Sequence, residues 1–314
     1  ITASHNPPEY NGFKICKGTL PMAGEELQEL RETMEIGDFM EGTGKLIDAQ
    51  EFQRQYIERV IENVGKPGRK IRVAIDCGNA VPGPLAIRVL ESIGVDVVPV
   101  HCTWDNKFPN HPPDPTRKEN MIDLSSAVLD EGCEFGIGMD GDGDRIGVVD
   151  ENGEFIHPDR LMALFVQDLL TDKERMGDDS RKVFYDVKCS MALEEFIESK
   201  GGIPVMVRTG HSFMKKLLRE NPDSPLAGEM SGHFFLNDKW PGFDDSIYNA
   251  SRLLEIVGRG VSPEDGGIPF SGRFSELPNY PSTDEIKIPL VGEREDVMRS
   301  VRDSFSDMDY SDVD

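Results

Sequence analysis

Residues 71–100 read IRVAIDCGNAVPGPLAIRVLESIGVDVVPV. An apolar β-branched run, a glycine turn, a helical stretch and a second β-branched run follow one another. This β-α-β order predicts two parallel strands in an α/β layer. A helix around residues 122–131 and a short strand in EFGIGM continue the unit. It then reaches DGDGDRIGVVDENGEFI, where expected strands at 145–150 and 154–156 flank Asn152-Gly153, a hairpin signal. From Pro158, a residue suited to the first turn of a helix, the pattern begins again. It predicts a helix at 158–170, strand KVFYDV, a helix at 190–200, strand PVMVRT, a helix at 212–219 and strand LAGEM. Two α/β domains of about a hundred residues each are expected.

The ends read differently. Residues 24–64 predict helical pieces broken at Gly42-Thr43-Gly44, followed by the linker GKPGRK. The polar stretch FSGRFSELPNYPST leads into DEIKIPL and a helix near 293–305. The chain opens ITASHNPPEYNGFK, a loop by its prolines and glycine, with no initiator methionine and no scaffold before its reactive side chains. It therefore reads as a fragment.

The formal net charge of −24 over 314 residues repels phosphate backbones and anionic lipid, so neither nucleic acid nor a membrane is an expected partner. No apolar run approaches the roughly 18 residues of a membrane span, and no secretory leader is visible, so a cytoplasmic location is expected. The five cysteines have no CxxC spacing and are expected to be buried thiols in a reducing compartment.

Three constellations carry chemistry. In Asp140-Gly141-Asp142-Gly143-Asp144-Arg145, carboxylates at i, i+2 and i+4 point to one side, and the glycines let the chain curl. Carboxylates held so close call for a hard cation, Mg²⁺ or Ca²⁺. Asp140, Asp142, Asp144 and Glu151 also fall at positions 1, 3, 5 and 12 of an EF-hand loop. Arg145 occupies the position where that loop needs glycine, and strands replace its helices.

Ser4, His5 and Lys14 form the second group. Neighbouring side chains diverge, which argues against His5 as a base for Ser4, and no GxSxG elbow is present. A serine near a divalent cation and a lysine suggests phosphoryl transfer instead. The third group is GEMSGH, where Glu229, Ser231 and His233 are expected to alternate onto one face of an extended segment, a set suited to sugar hydroxyls. Lys188, Arg208 and His211 follow expected strand ends, where open α/β sheets keep their ligands.

TASHNP, NGFK, FPNHPPDPTRKEN, DGDGDR, RTGHS and GEMSGH occur in this order, and with them the chain resembles the α-D-phosphohexomutases, most closely the phosphomannomutase/phosphoglucomutase branch. The resemblance implies related α/β domains with mixed sheets and the start of a C-terminal α+β domain. Residues 1–64 would be the end of domain one, 65–156 domain two, 157–275 domain three and 276–314 the start of domain four. It implies Ser4 as a phosphoserine, and Asp140, Asp142 and Asp144 as Mg²⁺ ligands with the Ser4 phosphate and Arg145 close by. Lys14 would transfer protons, and Glu229 and Ser231 would hold the sugar, with His233, His211 and Lys188 lining the cleft. The implied reaction interconverts hexose 1-phosphate and hexose 6-phosphate through a hexose 1,6-bisphosphate that also serves as activator. Met230 in that loop resembles the mannose/glucose branch rather than the relatives that act on glucosamine phosphate. Other readings are a phosphoglucosamine mutase, a Ca²⁺- or sugar-phosphate-binding module, and a metal-dependent sugar phosphatase. The family's Arg-Ser-Asn-Thr phosphate clamp is absent from these residues, so the chain alone is expected to be a weak mutase or none. Its oligomeric state is open.

Overall fold

The computed structural model describes all residues except 8, 23, 38, 172–180, 282–285, 287, 307 and 309–314. A two-stranded hairpin, β1 (Cys16–Lys17) with β2 (Leu20–Pro21), precedes helices α1 (Glu25–Ile36) and α2 (Gln50–Val64). The break between these helices is wider than the glycine pair alone predicts, running from Gly37 to Ala49.

The first large unit contains β3 (Arg72–Asp76), α3 (Gly83–Ser92), β4 (Asp96–Val100), α4 (Ile122–Glu131), β5 (Phe135–Met139), β6 (Ile146–Val149) and β7 (Phe155–Ile156). Its sheet has the order β4-β3-β5-β6-β7. The first three strands are parallel, and β6 and β7 return antiparallel. The β6–β7 turn is closed by Asp150, whose Oδ1 accepts the N–H groups of Asn152 and Glu154. Asparagine-glycine and an aspartate at the first turn position thus cooperate, as turn chemistry requires.

The second unit contains α5 (Pro158–Thr171), β8 (Lys182–Asp186), α6 (Met191–Ser199), β9 (Ile203–Val207), α7 (His211–Glu220), β10 (Leu226–Gly228), β11 (Phe234–Leu236) and α8 (Ser246–Gly258). Its order is β11-β10-β8-β9, with β9, β8 and β10 parallel and β11 antiparallel. Ignoring β7, the two sheets share one topology: first strand in the middle, second on one side, third on the other, and an antiparallel fourth beyond it. The turn before that fourth strand is residues 140–145 in one unit and 229–233 in the other.

One apolar core runs through both units, from Val60 and Ile75 to Leu226 and Leu254. Helix α5 packs against β6 of the first sheet and β10 of the second. It is therefore apolar on nearly every side, with Leu161, Met162, Phe165 and Val166 all buried. Helix α8 packs on α2, α3, β6 and β11, and its buried Arg252 is neutralised by Asp238, Asp168 and Glu255.

The last described element is α9 (Arg294–Ser304), which buries no residue. The alternating run DEIKIPL falls partly outside the described residues, and its described positions form no strand. The cysteine expectation holds for Cys77, Cys133 and Cys189, but Cys102 is half-buried and Cys16 is exposed. Cys16 lies on the small hairpin, whose β1 buries neither of its residues.

Candidate active site

The carboxylate turn is built around Asp140, which is fully buried at the end of β5. Its Oδ1 accepts the backbone N–H groups of Gly143, Asp144 and Arg145 at 3.0, 2.9 and 3.1 Å. Three donors on one oxygen curl the chain and leave Oδ2 for a partner from outside the turn. There Ser4 Oγ donates to it at 2.9 Å, across 136 residues of sequence. Ser4 has a left-handed φ of 55°, a costly backbone for a non-glycine residue. Its carbonyl passes so close to Gly141 that a Cβ there would lie 1.9 Å from the oxygen. Only glycine at 141 permits this approach.

Asp140, Asp142 and Asp144 each offer an oxygen within 4.8 Å of the others, so the described residues include an acidic group that could hold a metal ion. Its donor set fits a hard divalent cation. The buried Asp142 Oδ1 has no hydrogen-bond partner, and the buried Asp144 Oδ1 has only ionic neighbours, His233 at 3.3 Å and Arg145 at 3.7 Å. Burial and repulsion from Asp144 and Asp142 push the Asp140 carboxyl well above the usual range, the strain a cation would relieve. Lys14 Nζ partly neutralises the turn, donating to Asp142 at 2.6 Å and to Asp144. Burial works against the Lys14 charge, but Asp144 and Asp142 outweigh it and hold the group protonated.

The Glu229 turn is where the structure departs from the sequence expectation. GEMSGH is not extended: Gly232 N–H donates to the Glu229 carbonyl at 3.0 Å, and Glu229 N–H to the His233 carbonyl at 2.9 Å. Gly232, with φ +83°, makes the turn possible. The three side chains still converge, through the turn rather than through strand alternation. Glu229 Oε2 accepts from Ser231 Oγ at 3.0 Å and lies 2.9 Å from His233 Nδ1, while its Oε1 accepts the Gly210 N–H at 2.6 Å. Burial alone would lower the His233 pKa, but bonds to Asp144 and Glu229 outweigh it and raise it to about 9. His233 is thus an imidazolium between two carboxylates, with Arg145 Nε alongside at 3.1 Å.

His211 begins α7, and its ring stacks on His233 at 5.7 Å between centroids. Burial, then Lys215 and His233, lower its pKa to about 4, so it is neutral. His5 Nδ1 lies 3.3 Å from Ser4 Oγ, nearer than neighbouring side chains usually come, because the left-handed Ser4 backbone turns the two together. Arg208 and Lys188 stay exposed; Arg208 lies over the Phe213 ring at 4.5 Å. Both follow strands of the second sheet, β8 and β9. Glu151 turns away, binding Ser271 through both oxygens, which removes the last EF-hand ligand.

Two residues beside the site escape sequence reasoning. Asp244 is buried, pairs with Lys215 Nζ at 2.5 Å and lies 3.7 Å from His211 Nδ1. The available signal was the Asp244-Asp245 pair ahead of an apolar helical pattern, which marks a helix start.

Comparison with known proteins agrees along the chain. Residues 1–41, 54–153 and 157–265 match the families described as phosphoglucomutase/phosphomannomutase, alpha/beta/alpha domains I, II and III respectively. The chain is 41% identical over 291 residues to phosphomannomutase/phosphoglucomutase of Pseudomonas aeruginosa, covering 93% of this chain and 60% of that protein. It is 31% identical over 320 residues to phosphomannomutase of Methanocaldococcus jannaschii, covering 100% and 68%. The crystal structure of a phosphoglucomutase/phosphomannomutase family protein from Burkholderia thailandensis superimposes with a TM-score of 0.80 at 40% identity, covering 90% of this chain and 58% of that one. The chain thus spans about 60% of the length of the first curated relatives it matches. Matches to all three domain families in order, together with these relatives, place the chain in the phosphoglucomutase/phosphomannomutase family of α-D-phosphohexomutases.

Proposed function

We propose that the protein to which this chain belongs interconverts hexose 1-phosphate and hexose 6-phosphate, with mannose and glucose as the sugars, through a phosphoserine at Ser4 and a hexose 1,6-bisphosphate. The single observation that carries this reading is Ser4 Oγ at 2.9 Å from Asp140 Oδ2, on the edge of the carboxylate cluster. Residues 1–64, 65–156, 157–275 and 276–314 would then belong to domains one to four. A cytoplasmic location fits the absence, among the described residues, of any helix long and apolar enough to cross a membrane.

Asp140, Asp142 and Asp144 would hold Mg²⁺, which would neutralise charge on the transferring phosphoryl oxygens. In the transfer, a sugar hydroxyl oxygen forms the new bond to phosphorus, the bond from phosphorus to Ser4 Oγ breaks, and the hydroxyl proton passes to a base. His211 is neutral and therefore in the proton-accepting form, whereas Lys14 is charged and in the donating form. Glu229 and His233 neutralise each other, so the turn that would meet the sugar is rigid before the sugar arrives. Arg145 brings a permanent positive charge beside Asp140 and Asp144, suited to a phosphate on Ser4.

Incubation with ³²P-labelled glucose 1,6-bisphosphate and Mg²⁺, followed by digestion, tests this reading. Label is expected on the peptide containing Ser4 and absent from Ser4→Ala. Label elsewhere, or free phosphate with no isomer and no labelled serine, would count against it.

A further inference from the structure

We propose that Asp76, His101 and His111 form a second cation site, for a first-row transition ion of the Zn²⁺ type, at the carboxyl ends of β3 and β4. Each offers one ligand atom, and these atoms lie within 4.8 Å of one another. They come from three segments: the last residue of β3, the residue after β4, and the loop that follows.

The hydrogen bonds around the site show what is missing from it. Asp76 is 2% exposed; its Oδ1 accepts the Gly78 N–H at 2.8 Å, and its Oδ2 faces His111 Nε2 at 3.0 Å. His111 Nδ1 lies 2.9 Å from the Pro112 carbonyl, which accepts only if Nδ1 carries the proton. In a neutral ring Nε2 is then an unprotonated lone pair aimed at a carboxylate oxygen. Two acceptors face each other, and either a second proton or a cation must lie between them. A ring N–H donated to a backbone carbonyl, which leaves the other nitrogen free to bind an ion, is the arrangement that orients a metal-binding histidine.

His101 completes the group. Its ring meets that of His111 edge to face at 5.5 Å, and its Nε2 lies 2.8 Å from Asp123 Oδ2. Asp123 is thus the neighbouring carboxylate that steadies the second imidazole. His101 is also one of four non-glycine residues at positive φ among those described, at 46°, in the left-handed region that most non-glycine residues avoid.

Two imidazoles and one carboxylate select Zn²⁺ or its neighbours over Mg²⁺, the opposite preference to the all-oxygen turn at 140–144. Three protein ligands leave a fourth position open. The side chains of His101 and His111 are 23% and 14% exposed, so an ion has a path from solvent. Occupancy would join β3, β4 and the 108–116 loop. Pro115 of that loop packs against Gly138 and Gly147 on the strands that flank the carboxylate turn.

The test is equilibrium dialysis of the metal-stripped chain against micromolar Zn²⁺ with Mg²⁺ in large excess, counting retained zinc. A parallel titration with Co²⁺ would be followed by its visible absorption bands. One ion per chain is expected for the wild type and for Asp142→Asn, and none for His101→Asn, a substitution that keeps a residue tolerant of left-handed backbone. Asp123→Asn should weaken retention by about 10-fold or more. This second variant leaves all three ligands in place and serves if His101→Asn fails to fold. The proposal falls if the wild type retains no ion, if His101→Asn retains it, or if Asp142→Asn loses it.

Discussion

Arg145 Nε and His233 Nε2 stand 3.1 Å apart although 88 residues separate them. Each sits at the same topological place in its own sheet, on the turn between the third parallel strand and the antiparallel fourth. The two turns also share a backbone bond, Ile146 N–H to the Gly232 carbonyl at 3.1 Å. A repeated architecture has therefore brought its two equivalent turns face to face, one carrying Asp140, Asp142 and Asp144 and the other Glu229, Ser231 and His233.

His233 lies between Glu229 and Asp144 and supplies the positive charge that offsets these two carboxylates, against opposition from the neighbouring Arg145 guanidinium. Its replacement by alanine would leave both buried carboxylates short of their partner. His233→Ala is expected to lower stability by about 3–5 kcal/mol, the usual effect of breaking a buried ion pair. Urea unfolding at neutral pH measures it; a loss below about 1 kcal/mol would mean that water or Arg145 replaces the imidazole without effect.

Gly141 gives a second test, because it concerns approach rather than charge. A methyl group there would sit 1.9 Å from the Ser4 carbonyl, and both atoms belong to backbone or are fixed to it. Gly141→Ala should push the serine loop off the carboxylate turn and slow phosphorylation of Ser4 from labelled bisphosphate by about 100-fold. Circular dichroism should show the sheets intact. An unchanged rate would show that the loop moves freely during the reaction.

Much of this was legible in sequence, and the division follows range. Asp140 to Asp144 and Asn152-Gly153 are local patterns whose geometry comes from adjacent residues, so both turns could be read directly. GEMSGH was readable as a set but not as a shape, because alternation places side chains as a strand would until Gly232 closes a turn. The Lys215–Asp244 pair gives no such signal. Its members lie on α7 and ahead of α8, and only packing of those elements brings them together. The same holds for Asp76, His101 and His111, whose segments meet only because β3 and β4 are neighbours.

Cation binding at the carboxylate turn should register in stability without any turnover. At a hundredfold excess over its dissociation constant a ligand adds about 2.7 kcal/mol. Mg²⁺ is therefore expected to raise the unfolding midpoint of the wild type, and EDTA to reverse the rise. Asp142→Asn removes one ligand oxygen and should abolish most of the shift. Equal shifts in the two proteins would place the cation elsewhere.

Asp245 allows a pH prediction at a carboxylate that is not itself one of the cation ligands. It caps α8, accepting the Tyr248 N–H at 3.0 Å, and it also accepts from the Tyr56 hydroxyl of α2 at 2.9 Å. Burial raises its pKa from 3.8 to about 6 despite these bonds. A group with a raised folded pKa contributes stability in full below its unfolded value and loses it as pH rises through the folded one. Wild type should therefore lose up to about 3 kcal/mol between pH 4 and 6.5 relative to Asp245→Asn, which has no charge to bury. Carboxylates other than the adjacent Asp244, which is coupled to Asp245, titrate alike in both proteins and cancel in the difference. Tyr56→Phe removes a donor that favours the carboxylate, so it should cost about 1–3 kcal/mol at pH 7 and less at pH 4.5. Urea unfolding of the three proteins across this range decides the matter: parallel stability profiles would mean that Asp245 ionises in the folded chain as it does in water.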